Sequence, residues 1–171
     1  MYRAAMKLKR ISLVALLAFG LNINSITTSA SVSWQEQMLQ SLNSMRAQKS
    51  LKPLEMCKPL TRAAQKYART MAQQDFLSHT GKDGSDFGER IQSAGYDWTN
   101  SKSGSSVAEN IAAGQNSVAE VMKGWRNSKG HYKNMIGQNF THVGFGMSIN
   151  AQSTYKKYWV QNFGSGASCK S

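Results

Sequence analysis

Three side chains in this sequence have the chemistry of a polar site: His79, Glu109 and His131. His79 lies in Ser78-His79-Thr80-Gly81 and His131 in Ser128-Lys129-Gly130-His131, both rich in turn formers and small polar groups. Such loops, held by a rigid scaffold, are where binding and catalytic groups concentrate. Glu109 is an acid in the otherwise mostly apolar run Val107-Ala108-Glu109-Asn110-Ile111-Ala112-Ala113-Gly114, so its carboxylate is expected to be half buried. A buried carboxylate needs a partner, and either a histidine or a metal ion would serve. His142, the remaining histidine, opens a strand-like run and reads as a partly exposed packing residue. Spacing alone does not join these groups into one site.

The elements that must position them are legible from periodicity. Trp34, Met38, Leu42 and Met45 recur at three- and four-residue steps and predict a helix, broken at Leu51-Lys52-Pro53-Leu54. A second helix is expected from about Pro59, with Leu60, Ala64, Tyr67 and Met71 facing inward. Gly81, Asp83 and Gly84 make a turn before a short helical stretch around Phe87, Arg90 and Ile91 that stops at Gly95. Thr99 to Ser106 reads as an exposed loop, and 107–114 as a short strand or extended turn. Ser117-x-x-Glu120 is a capping box for a helix carrying Val118, Val121, Met122 and Trp125. Ser128 ends that helix and a loop follows. His142 to Ile149 and Tyr155 to Phe163 read as strands joined through Asn150 to Thr154. Helices early and strands late predict a layered α+β domain.

Composition narrows the setting. Arg3, Lys7, Lys9 and Arg10 precede the mostly apolar run Ile11 to Ile23, and Thr28 and Ala30 are small residues suited to cleavage after Ala30. Residues 1–30 therefore read as a cleaved signal peptide, leaving one domain over 31–171 with no membrane segment. Beyond residue 30 there are 17 Lys+Arg and 9 Asp+Glu, a net charge of +8, suited to anionic envelope surfaces. The cations are scattered and form no stripe interleaved with aromatics, which argues against nucleic acid as a partner. In an oxidising compartment the two cysteines, Cys57 and Cys169, are expected to form one disulfide. They lack the spacing of a metal site, and nothing points to a thiol nucleophile.

Five strings then occur in one order: Ser78-His79, Ala108-Glu109-Asn110-Ile111-Ala112, Trp125 to Met135, His142-Val143-Gly144-Phe145-Gly146 and Tyr158-Trp159-Val160-Gln161-Asn162-Phe163-Gly164. Together they resemble the CAP superfamily, the cysteine-rich secretory, antigen and pathogenesis-related proteins, and more narrowly its bacterial extracellular branch. The resemblance runs from about Trp34 to Gly164. It implies a three-layer α-β-α sandwich with a central, largely antiparallel sheet. It also implies an open cavity holding His79, Glu109 and His131, with Ser128 where animal members carry a second glutamate three residues after the helix tryptophan. Glu120 is not a substitute, because the capping box accounts for it.

Two neutral imidazoles, His79 and His131, beside a carboxylate would bind a divalent cation such as zinc, with water completing the shell. Ser128, His131 and Glu109 also invite a nucleophilic reading, but nothing here resembles a nucleophile elbow. Trp125, Tyr132, Phe140, Phe145, Tyr158 and Trp159 are expected in the core rather than along a ligand groove. Asn139-Phe140-Thr141 matches a glycosylation sequon, idle in a bacterial source. The leading expectation is a secreted, non-enzymatic binding protein, with a lipid- or sterol-like ligand or a cell-envelope or host surface as partner. The location would be extracellular, or periplasmic in a Gram-negative source. The alternatives are a metal- or serine-dependent hydrolase acting on peptide or cell-wall material, and a purely structural role.

Overall fold

A computed structural model of the chain describes residues 31–99, 106–166 and 169. The segment read as an export signal, 1–30, lies outside the described residues, as does 100–105 within the exposed loop. Among the described residues no helix is long and apolar enough to cross a membrane.

Helix α1 (Trp34–Ala47) starts at Ser33, whose hydroxyl accepts from the Glu36 N–H, and buries Met38, Leu42 and Met45 as the periodicity requires. Helix α2 (Lys58–Gln74) has proline in its first turn, where the missing N–H costs nothing. Helix α3 (Phe87–Ser93) opens with a complete capping box between Asp86 and Glu89. Strand β2 (Val107–Ala113) is followed by α4 (Val118–Asn127), in which Ser117 caps the Glu120 N–H. The return arm of that predicted box lands one residue earlier, since the Glu120 carboxylate accepts from Asn116 N–H at 2.9 Å.

Two elements depart from the sequence reading. Ser128 ends α4, but it also starts α5 (Lys129–Met135), where a loop was expected. His131 is therefore a helical residue in the first turn of α5. The two-residue β1 (Glu55–Met56), too short to leave a periodic signal, pairs parallel with β3 (His142–Ile149). With β4 (Lys157–Gly164), the four strands lie in the order β1-β3-β4-β2, antiparallel except for the β1–β3 pair. The sheet is thus mixed, and β2 is an edge strand.

Helices cover both faces. Met38, Leu42, Val121, Trp125 and Met135 of α1, α4 and α5 pack with Val143, Phe145, Trp159 and Phe163 on one side. Ala64, Tyr67, Ala68 and Met71 of α2 pack with Ile111, Tyr158 and Val160 on the other. The glycines between Val143, Phe145 and Met147 explain the close fit of α2: a Cβ at Gly144 would strike Leu60 and Thr61, and one at Gly146 the Ala64 backbone. Four of the six aromatics assigned to the core, Trp125, Phe145, Tyr158 and Trp159, are fully buried, while Tyr132 and Phe140 pack against it half-buried. Buried Arg46 is satisfied by the carbonyls of Lys52, Met135 and Gly137 at 2.9–3.0 Å, tying α1 to the end of α5. Cys57 and Cys169 form the expected disulfide, across 112 residues of chain.

Candidate functional site

Side chains alternate along β2, and the chemistry divides with them. Ala108, Asn110 and Ala112 face α1, α4 and α5, whereas Glu109 and Ile111 face α2 and α3. Glu109 is 5% exposed, more deeply buried than its sequence setting implied. Its carboxylate meets two donors. His79 Nδ1 lies 2.9 Å from Oε1, and Arg90 Nη2 lies 3.2 and 3.1 Å from Oε1 and Oε2. A carboxylate accepting from a guanidinium leaves the Nδ1–H of His79 as the donor in their shared bond, so the ring's Nε2 is its remaining acceptor. The His79 side chain is 49% exposed and Glu109's 1%, so the acid is buried behind the imidazole it orients.

Arg90 is the site residue that sequence reasoning missed as such. The sequence places it only in the short helical stretch around Phe87, Arg90 and Ile91, which is α3. In the fold Nη2 also donates to the His79 carbonyl at 2.9 Å and Nη1 to the Ser85 carbonyl at 2.7 Å. The guanidinium lies 3.4 Å from the centre of the Tyr67 ring. Tyr67 in turn donates its hydroxyl to the Ser78 carbonyl at 2.5 Å, fixing the turn that carries His79. Burial, opposed by Arg90, pushes the Tyr67 hydroxyl up to about 12, so it stays protonated as that donor. A helix of seven residues is too short to give its one arginine a periodic sign of burial.

His131 reaches the same region from the other face of the sheet. Its carbonyl accepts from Asn110 Nδ2 at 3.2 Å, and Asn110 is fully buried. Asn134, three residues on, donates to Asn110 Oδ1 at 2.8 Å and to the Glu109 carbonyl at 3.4 Å, which fastens α5 to the β2 edge. Burial holds the His131 imidazole below its ordinary range, and the nearby His79 pushes it further in that direction.

The structure pairs Glu109 with His79 and ties the His131 backbone to the neighbouring Asn110, which is not the nucleophilic arrangement weighed from sequence. Glu109 orients His79 rather than His131. Ser128 is the shared residue between α4 and α5, and its side chain makes no capping hydrogen bond. Among the described residues, no group of three or more His, Cys, Asp or Glu side chains is placed to hold a metal ion. The Glu109 carboxylate is already taken by Arg90 and His79, which leaves two imidazoles as the donor set for a cation. His142 packs as expected: its ring stands edge-on to Tyr96, with Nδ1 3.0 Å from the Tyr96 hydroxyl. Burial lowers its pKa as well.

A cavity of about 640 Å³ lies between α2 and the 81–95 segment. It shares Tyr67 and Arg90 with the site, and His79, Glu109 and His131 do not line it.

Comparison with known proteins agrees with this architecture. Over 141 residues the chain is 33% identical to the protein YkwD of Bacillus subtilis, covering 80% of this chain and 50% of YkwD. It is 29% identical over 119 residues to the human Golgi-associated plant pathogenesis-related protein 1, covering 69% of this chain and 75% of that protein. The chain spans half or less of the length of the two Bacillus subtilis relatives it matches. Among solved structures, an extracellular protein containing an SCP domain from Bacillus anthracis superposes with a TM-score of 0.62 at 27% identity, over 75% of this chain and 39% of that one. An outer surface protein of Borrelia burgdorferi shares the fold with a TM-score of 0.66 at 19% identity, over 77% and 92% of the two chains. The sequence pattern of the cysteine-rich secretory protein family, CAP, matches residues 39–163, and the chain belongs to that family.

Proposed function

We propose that this is an exported CAP-domain protein that works by binding rather than by catalysis, presenting His79 as the recognition group of a polar face completed by His131. The observation that carries this reading is the capture of Glu109 by both His79 and Arg90. A carboxylate so held fixes one imidazole and supplies no orienting acid to Ser128 and His131, which a serine mechanism would require. What faces outward is a half-exposed imidazole whose Nε2 can accept a hydrogen bond, beside a second imidazole that burial favours in the neutral form. The family resemblance makes a lipid- or sterol-like molecule or an envelope component the leading partner. The extracellular and outer-surface relatives support the setting.

A divalent ion such as zinc would have His79 Nε2 and His131 as its protein ligands and water for the rest, with Glu109 orienting His79 from behind. Both readings are tested on protein purified from its own host. Native mass spectrometry is expected to show a retained small molecule that is lost in His79→Ala; apo protein alone, with no ligand recovered by extraction, contradicts a tightly held ligand. Zinc at neutral pH is expected to raise Tm by several degrees in wild type and not in the His79→Ala/His131→Ala double variant. No shift up to millimolar zinc removes the metal from the account.

A further inference from the structure

The cleft between α2 and the 81–95 segment borders the site described above through Tyr67 and Arg90, and it has the size of a ligand pocket. At about 640 Å³ it falls within the range of small-molecule sites. Ala63, Tyr67 and Ala94 give it apolar surface, and the exposed cations Arg62, Lys66 and Lys82 stand around it. These three cations face two acids, Asp83 and Glu89, across the cleft. α2 carries Lys58, Arg62, Lys66 and Arg69 at steps of four, four and three, all exposed, and contains no acid.

The two acids that line the cleft are already engaged. Asp83 accepts from the Ser85 N–H at 3.0 Å and from its hydroxyl at 2.7 Å, which holds its carboxyl below the usual range. Glu89 accepts from Asp86 N–H at 3.0 Å in the α3 capping box. Arg62 and Lys82 are steadied over the opening by single bonds to the carbonyls of Ala94 and Gln74, each at 2.8 Å, and keep further N–H donors. The Lys66 ammonium makes no hydrogen bond or ion pair among the described residues. The result is a partly apolar recess in which Arg62, Lys66 and Lys82 keep free donors, while the carboxylates of Asp83 and Glu89 are held by hydrogen bonds of their own loops.

We propose that this cleft binds a small organic anion, with a carboxylate, sulfate or phosphate head on the Lys66 side and a compact apolar body against Ala63 and Ala94. The site goes beyond the binding face at His79 and does not depend on it. The test uses 8-anilinonaphthalene-1-sulfonate as the anion and N-phenyl-1-naphthylamine as its uncharged counterpart, on full mature protein at low salt. The expected result is saturable binding of the sulfonate, weakened about tenfold by Lys66→Glu and retained in Lys66→Arg and His79→Ala. Lys123→Glu, a matched charge change on α4, is expected to leave it within about twofold. Ser93→Trp, which fills the cleft from the end of α3, serves as a steric variant and is expected to exclude the dye without loss of Tm. Displacement by dodecyl phosphate supports a free anion, and displacement only by phosphatidylglycerol vesicles supports the same head presented by a membrane. Equal effects of Lys66→Glu and Lys123→Glu, equal binding of the uncharged dye, or absence of saturable binding overturns the proposal.

Discussion

Glu109 and Asn110 are neighbours on one strand, both buried, and the fold treats them in opposite ways. Asn110 points into the layer of α1, α4 and α5, where its amide bonds Gln161, Asn134 and the His131 carbonyl, all of them neutral groups. Glu109 points to the α2 side, where its carboxylate is held by a guanidinium and an imidazole that lead outward to solvent. A neutral amide joins a helix to a sheet at small desolvation cost, whereas a buried carboxylate is tolerated only with charged partners. The difference separates a staple from a site: Asn110 fixes where α5 sits, and Glu109 fixes which way His79 faces.

This contrast can be broken from either side. Arg90→Ala should have the largest effect, lowering stability by about 3 kcal/mol because the buried Glu109 carboxylate loses the guanidinium that touches both its oxygens. Adding Glu109→Gln to Arg90→Ala should recover part of that loss, since no charge is then left buried. Urea unfolding measures both, and a double variant no more stable than Arg90→Ala would show that the charge is not what matters. Asn110→Ala should cost about 2 kcal/mol, removing the donor to Gln161 Oε1 and leaving Asn134 only its 3.4 Å bond to the Glu109 carbonyl. Its loss should be unaffected by salt, and a salt-dependent loss would undo the distinction between the two residues.

A smaller effect separates the two histidines by pH. His131 and His142 have pKa values lowered from 6.5 by burial, so the unfolded chain binds their protons first. Stability is therefore full above about pH 6.5 and falls as pH drops below it, until the folded forms protonate too. His131→Gln should flatten this limb of a Tm-versus-pH curve. An unchanged slope would show that His131 is not the buried, neutral ring described here.

Much of this architecture was readable in the chain because packing imposes strong periods on it. The stripe from Trp34 to Met45, the inner face of α2 and the alternation of Val143, Phe145 and Met147 with glycines each came from one face meeting a core. α5 was not readable, since Ser128-Lys129-Gly130 looks like a loop and only Asn110 and Asn134 show why a helix docks there. Arg90 was hidden for a different reason. Its partners, His79, Ser85 and Glu109, come from separate segments, and a cation on a seven-residue helix gives no periodic sign of burial. His79 and Glu109 were found as residues, but their direct pairing is set by the register of β2 against β4 and the turn held by Tyr67.

The central claim is that Glu109 holds the His79 ring by Nδ1–H and leaves Nε2 open. Long-range nitrogen–proton NMR of the mature protein at a pH where the ring is neutral reads this directly. The account predicts the Nδ1–H tautomer for His79 in wild type, shifting toward Nε2–H in Glu109→Ala. A wild-type His79 already in the Nε2–H form, or one indifferent to Glu109→Ala, would contradict it.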